Sequence, residues 1–382
     1  MNADNRNELV INKLQLRKNA LNIRRYVSKK VKLMCIIKAN GYGHGIVESY
    51  ESFQPVADWF GVATLDEALK IRNAGCKEPV LILGYVPLSR VREVIENELT
   101  LCGFSREYIA KVNAVAKQYK AIISMHLKID TGFNRLGLKS GINVTTEFID
   151  DVVALYSLPN VHFTGIYTHF PVAGSDQPSD ICFQYRQYQQ FNEVCILLQN
   201  RGLRLGLRHC SNSKAMLYNP EMNLDMVRVG IYLYGLGSKI DNSKLNVKPA
   251  ASLNALVILE KELLPGDTVS YGRLFKARSS QKIGIVALGF ADGYFRSLGN
   301  NSGTKVYWEA RGFEIIGKIC MDYLMILLPE DLRIVGQMVE VISDDSPAYL
   351  LGKKVNSTAG EILTSITDRV PRRYVEGDVD NA

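Results

Sequence analysis

Short apolar runs punctuate the first part of the chain at residues 33–37, 59–63, 79–83, 100–104, 124–129, 162–167, 207–210 and 226–231, with helix-like segments between them. Eight strands alternating with helices form the pattern of a parallel (β/α)8, or TIM, barrel. The segment after the second run shows how a helix is bounded, with Thr64 as N-cap, Glu67 three residues on and Gly75 at the close. That is a capping box followed by a glycine stop. Near residue 240 the pattern changes to strand-like runs at 255–259, 282–288, 305–308, 315–319, 324–328 and 338–342, separated by PGD, ADG and ARG turns. The expected architecture is α/β: a barrel over residues 1–240, its first residues able to pair with the second domain, and a mostly β domain over 241–382.

Composition narrows the class. At 382 residues, 47% apolar and 22% charged, the chain has core enough for two or three domains and is neither a small disulfide scaffold nor a disordered tail. The 46 Lys and Arg exceed the 39 Asp and Glu by +7, spread along the chain, which argues against a nucleic-acid tail and leaves small anionic ligands welcome. The seven cysteines form no CxxC pair, and Cys35, Cys195 and Cys210 lie in apolar stretches, so reduced thiols in a cytoplasmic setting are expected. No apolar run approaches the ~18 residues of a membrane span, and polar residues follow Met1 where a signal sequence would be apolar. No metal site is expected.

In a barrel of this kind the reactive groups gather where strands end and loops begin. The first run stops at Lys38 and continues as ANGYGHG; the fifth, SMHLKID, leads into TGFNRLG; the sixth ends at His169. The seventh opens into His209, Asn212 and Ser213, and the eighth carries Arg228 before Gly230. A lysine closing an apolar strand faces a barrel mouth with little water, which makes Lys38 a Schiff-base candidate; the plainer alternative is a lysine that snorkels to the rim. Gly41, Gly43 and Gly45 favour the first reading, because glycines around Tyr42 and His44 let backbone come close to a bound group. GYGHG alone matches neither a dinucleotide loop nor a P-loop.

Asn212 and Ser213 open a helix-like segment, and Gly230 and Ile231 add free backbone N–H groups, so the last two loops form an expected phosphate site. Pyridoxal phosphate, with Lys38 reaching its reactive carbon, fits that description. Alternation along the fifth strand puts Met125, Leu127 and Ile129 on one face and turns His126, Lys128 and Asp130 to the interior. With Arg135 near, an inward Lys128 is either made anionic or paired with a carboxylate such as Asp130.

Together the motifs IIKANGYGHG, LKIDTGFNRLG, GIYTHF, CSNSKA, VRVGIYLYG, VSYG, GFADGY, GKICMD and RVPR resemble the alanine racemase family, in order from about residue 9 to residue 374. The resemblance implies a pyridoxal-phosphate barrel, a C-terminal β domain and a head-to-tail homodimer whose active sites borrow residues from the partner. Lys38 would be the cofactor lysine and the base on one face of the substrate, with Tyr271 of the other subunit the base on the opposite face. Arg228 would meet the pyridine nitrogen, oriented with Tyr271 by His169 and His209. Tyr42, Ser213, Gly230 and Ile231 would hold the phosphate, with Asn212 behind them. Arg135 and the Met321 N–H would meet the substrate carboxylate, and Lys128 matches a lysine that many members carry as a carbamate. A pyridoxal-phosphate carrier would resemble the first domain alone, and a decarboxylase on the related architecture would not carry the SYG and ICMD motifs.

Three departures stand out. Many members have Tyr where this chain has Phe290, Arg where it has Lys318, and Tyr at the position of Asp368, just before RVPR. Asp368 opens room beside the substrate methyl and offers an acceptor to a serine hydroxyl. A small polar residue there is similar to the membrane-bound serine racemases of vancomycin resistance. On that reading the chain racemises serine, alanine or both for peptidoglycan precursors and is the cytoplasmic half of a longer membrane protein; the alternative is a housekeeping alanine racemase.

Overall fold

The structure, a computed structural model, describes residues 5–141, 143–299 and 302–377. The chain divides into two compact units, one made of Ala20–Gly41 and Phe53–Gly230, the other of Met1–Asn19, Tyr42–Ser52 and Ile231–Ala382. Each is described by itself.

The first unit is the expected parallel barrel. Its strands are Lys32–Ile36, Trp59–Val62, Val80–Ile82, Thr100–Gly103, Ile123–Asp130, Val161–Tyr167, Leu207–His209 and Met226–Val229. Each of the first six pairs in parallel with the next, and the eighth pairs in parallel with the first. The remaining gap, between the last two strands, is narrowed by hydrogen bonds from Asp225 N–H to Arg208 O (3.1 Å) and from Arg228 N–H to Ser211 O (3.0 Å). Helices such as Leu65–Asn73, Arg106–Gln118 and Thr146–Tyr156 turn buried apolar residues inward. The Thr64 capping box forms as the sequence dictates: Thr64 Oγ1 accepts from Glu67 N–H (3.3 Å), and the Glu67 carboxylate accepts from Thr64 N–H (3.2 Å). Among the described residues no helix is long and apolar enough to cross a membrane.

The second unit is built on a closed antiparallel ring. The long strand Ala251–Leu263 pairs with Gln281–Val286, which pairs with Leu324–Leu328, then Arg311–Ile316, Lys305–Trp308 and Met338–Ile342, and the last returns to the long strand. Closure removes the free edges an open sheet would expose. Outside the ring, Asn7–Asn12 lies antiparallel to the long strand and parallel to Arg372–Val375, so both ends of the chain complete one sheet. The pairing is fixed by charge as well as by Leu9 and Ile11, because Arg373 donates twice to the buried Glu8 carboxylate, at 3.0 and 3.1 Å.

One buried carboxylate ties the motifs of this unit together. Asp292, of GFADGY, accepts from Arg6 Nη2 (2.6 Å) and from the Gly289 N–H (2.9 Å), and pairs with Arg369 Nε at 3.5 Å. Arg369, of RVPR, reaches in turn to Asp322 of ICMD at 2.6 Å. Removing the Asp292 carboxylate leaves these donors without their acceptor, but Arg6 and Arg369 are partly exposed and regain water, so the cost sits at the low end for a buried ion pair. Asp292→Ala is expected to cost about 2 kcal/mol. A thermal midpoint lowered by roughly 4–8 °C would show it, and an unchanged midpoint would count against the assignment.

Candidate active site

The chain leaves the first barrel strand by an unusual route. Ala39, Asn40, Gly41 and Tyr42 follow Lys38 with φ of 54°, 52°, 61° and 52°, a left-handed run that among them only Gly41 adopts without steric cost. Such a run persists only where its surroundings fix it. Glu67 does so: one carboxylate oxygen accepts from Ala39 N–H (2.6 Å), the other from Ala63 N–H (2.8 Å). Gly43 has a different task from the one expected of it, since a Cβ there would sit 2.3 Å from Leu363 O and the missing side chain admits another chain segment, not a ligand. Lys38 itself does not snorkel into open water. Burial, then the Arg135 guanidinium, lowers its basicity against the opposing field of Glu67, which leaves more of the free amine that attack on a carbonyl requires.

Strand register builds an inward layer. Lys128 pairs with Tyr167 and Tyr167 with His209, so three adjacent strands aim these side chains to one face. The Tyr167 ring lies flat on His209, with centroids 4.8 Å apart and 4° between planes. The Arg228 guanidinium and the Lys128 ammonium lie 5.2 and 5.6 Å from the same ring's centroid. The Tyr167 hydroxyl donates to Cys102 Sγ at 3.0 Å. Lys128 is buried and forms no ion pair among the described residues. Asp130 is occupied elsewhere, accepting from the N–H groups of Gly132 (2.9 Å) and Asn134 (3.1 Å) and so shaping the loop that carries Arg135. Of the two readings of Lys128, pairing with Asp130 is therefore not the one the fold adopts. Burial above all, helped by Arg135 and Arg228, pushes its amine down to about 8 against the opposing pull of Cys102 and Asp130.

Arg228 is held from several directions. Its Nη1 donates to His209 Nδ1 (2.8 Å) and the His209 carbonyl (3.1 Å); its Nη2 donates to the carbonyls of Thr168 (2.8 Å) and Cys210 (3.1 Å) and to His169 Nδ1 (3.1 Å). Both expected histidines thus meet Arg228. His169 is held neutral, pushed down to about 2 by burial and then by Arg228, Lys128, Arg135 and Lys38. Those four cations converge on one barrel mouth, and none of them forms an ion pair among the described residues. Arg135 lies 4.3 Å over the Phe133 ring, which packs on His169 at 5.2 Å. A surplus of positive charge beside a lysine of lowered basicity suits an anionic aldehyde cofactor together with an amino-acid carboxylate.

The phosphate loops differ from expectation in one respect. The Gly230 N–H is not free; it donates to Ser213 Oγ at 2.9 Å, because the short helix Ser213–Tyr218 brings the hydroxyl against the strand end. Asn212 caps that helix, accepting from Ala215 N–H (3.0 Å) and donating to Phe170 O (3.2 Å).

The remaining expected residues lie in the β-domain unit. The Tyr42 ring packs 5.0 Å from Tyr234, and Ile231 begins the turn Ile231–Tyr234. Tyr271 is presented by the turn Tyr271–Arg273, with Ser270 at φ 61° and Gly272 at φ 76°, and the Ser270 hydroxyl anchors the turn by donating to Lys318 O at 2.6 Å. Tyr271 is 63% exposed and Met321 55%, a large apolar outlay for a surface with no partner present. Arg296 lies over the rings of both Tyr271 (6.0 Å) and Phe290 (5.6 Å). Asp368 is fully exposed and, among the described residues, pairs only with Arg372, at 3.6 Å.

Barrel, cation set and β ring are the parts expected of a pyridoxal-phosphate-dependent racemase of the barrel type, and the comparisons with known proteins supply the class. Two family models divide the chain between them, the alanine racemase N-terminal domain over residues 11–238 and the alanine racemase C-terminal domain over residues 250–374. The chain belongs to the alanine racemase family, whose members depend on pyridoxal phosphate. It is 34% identical over 366 residues to alanine racemase 1 of Oceanobacillus iheyensis, covering 94% of this chain and 95% of that protein. It is 33% identical over 368 residues to the alanine racemase of Methanococcus maripaludis, covering 94% and 96%. Among solved structures it superposes on alanine racemase of Clostridium difficile 630 with a TM-score of 0.89 at 30% identity, covering 98% of this chain and 97% of that one. The alanine racemase of Streptomyces coelicolor A3(2) gives 0.90 at 28% identity, covering 98% and 99%.

Sequence reasoning overlooked Tyr167, Cys102 and Thr168, all buried in the barrel. Tyr167 was accessible by parity, since it stands two residues before His169 and shares its face. Cys102 carries no such signal.

Proposed function

We propose that the chain interconverts L- and D-alanine, working as a homodimer with pyridoxal phosphate bound at Lys38. The observation that carries this reading is Lys38 itself, a strand-end lysine of lowered basicity set among Lys128, Arg135 and Arg228. The bound cofactor supplies an electron sink that acidifies the substrate α-carbon. Lys38 moves the proton on one face of that carbon, and Tyr271 of a second copy moves it on the other. Arg228, a permanent donor, keeps its proton and faces the pyridine nitrogen. Arg135 and the Met321 N–H of the second copy hold the substrate carboxylate. Ser213 and Gly230, backed by Asn212, take the phosphate by exchanging their bond to each other for bonds to its oxygens. Lys128, whose amine is lowered to about 8, adds through its free-amine form to CO2 and releases one N–H proton to solvent, and the resulting carbamate anion positions Arg135.

Alanine is the preferred substrate on the support of relatives named alanine racemase that match the chain almost end to end. Asp368 favours a second activity, on serine: it is exposed, bound among the described residues only to Arg372, and able to receive a hydroxymethyl group. The test is to run L-alanine and L-serine side by side on the full chain with pyridoxal phosphate in deuterated water. Deuterium entering at the α-carbon from both enantiomers of alanine is expected; cofactor binding without exchange would overturn the racemase reading. Asp368→Tyr is expected to lower kcat/KM for serine relative to alanine about tenfold. An unchanged ratio removes Asp368 from the substrate pocket.

A further inference from the structure

Beneath the layer of Lys128, Tyr167 and His209 lies a second histidine contact that the racemase reading leaves without a role. His126 Nδ1 stands 2.9 Å from His209 Nε2, wholly buried, while His209 Nδ1 stands 2.8 Å from Arg228 Nη1. An arginine has donors only, so His209 Nδ1 must present a lone pair and its proton must sit on Nε2. That N–H then points at His126 Nδ1, which must also be a lone pair, and the His126 proton must sit on Nε2. Either alternative tautomer would set two donors against each other at hydrogen-bond distance. The series ends in a buried atom, His126 Nε2, that has no hydrogen-bond partner among the described residues.

Packing shows that this arrangement is held in place. The His126 ring is seated on Gly165, where a Cβ would lie 2.8 Å from three ring atoms, so a side chain at that position is incompatible with the ring. Trp59 closes the other side, its ring centroid 4.9 Å away at 48°. A glycine on the neighbouring strand and an indole from the second barrel strand, three strands away, thus leave the imidazole a single seat, with Nδ1 toward His209.

We propose that His126 is a positioning residue: it is the acceptor that fixes the His209 tautomer and, through His209, the rotation of the Arg228 guanidinium in the barrel mouth. This rests on the reading of Arg228 given above only for its consequence in catalysis, not for the tautomers. If His126 is absent, the His209 N–H is left buried without an acceptor and its ring can turn to seek one, which releases one of the side-chain contacts of Arg228.

The test begins with the wild-type holoenzyme, its five histidines labelled with nitrogen-15 and assigned by single substitutions. Both His126 and His209 are expected to be neutral with the proton on Nε2; a proton on Nδ1 of His209 would overturn the proposal without any reference to activity. His126→Asn keeps an acceptor oxygen close to the Nδ1 position, whereas His126→Leu keeps bulk and removes it. Turnover is expected to fall about 10- to 100-fold in His126→Leu and to recover to within about threefold of wild type in His126→Asn. Equal losses in the two variants would reduce His126 to a filler of space. Absent racemisation in the wild type would sink the proposed function but leave the tautomer result standing.

Discussion

Lys38→Ala is expected to lower racemisation at least about 10³-fold and to abolish covalent retention of pyridoxal phosphate. The lysine is both attachment point and base, so two separate contributions vanish together. Its neighbours do not replace it: Arg135 and Arg228 cannot lose a proton under these conditions, and Lys128 is fixed one strand from Tyr167 by register. The left-handed exit matters here because it sets where the strand-end side chain stands, and Glu67 holds that exit from the far side of the loop. Borohydride reduction followed by intact-protein mass reads the outcome directly. The wild type should gain the mass of one reduced cofactor, the variant none; a variant that still gained it would transfer the role to another lysine.

The second large effect is expected at Tyr271→Phe, about 10²- to 10⁴-fold in turnover with cofactor retention unchanged. The phenol is exposed on the isolated chain and stands on a turn strained at Ser270, a combination that makes sense if another copy receives it. A mixing experiment tests that sharing. Dimers formed from Lys38→Ala and Tyr271→Phe chains place both lesions in one site and leave the other whole. Random re-pairing should therefore restore about one quarter of wild-type activity, since half the dimers are mixed and one site in two is intact. If mixing restores nothing, Tyr271 does not cross between protomers.

How far the sequence discloses all this depends on which force shapes each element. The barrel strands are legible because burial on both faces leaves near-continuous apolar runs, and every one of the eight expected runs became a strand. Asn7–Asn12 and Arg372–Val375 are harder to read, since NELVIN and RRYV carry charged residues, two of which, Glu8 and Arg373, meet across the sheet. The cofactor lysine stands out by its place after an apolar strand. The left-handed path from Ala39 to Tyr42 does not, because only Gly41 and, less strongly, Asn40 favour that conformation. The GFADGY, ICMD and RVPR motifs are read from sequence as site signatures, and the fold adds that Asp292, Asp322 and Arg369 hold one another in place. Local spacing could not reveal that, since the three lie far apart in the chain.

The sheet that joins the two chain ends also sets a schedule for synthesis. Among the described strands Asn7–Asn12 is made first, and it must wait for residues 251–255 and then for 372–375 before its neighbours exist. At about 5–20 residues per second that delay is on the order of tens of seconds. Throughout it, Leu9 and Ile11 are apolar side chains without a mate, and nascent chains stalled before residue 370 should be bound by chaperones that chains in which residues 372–375 have emerged escape.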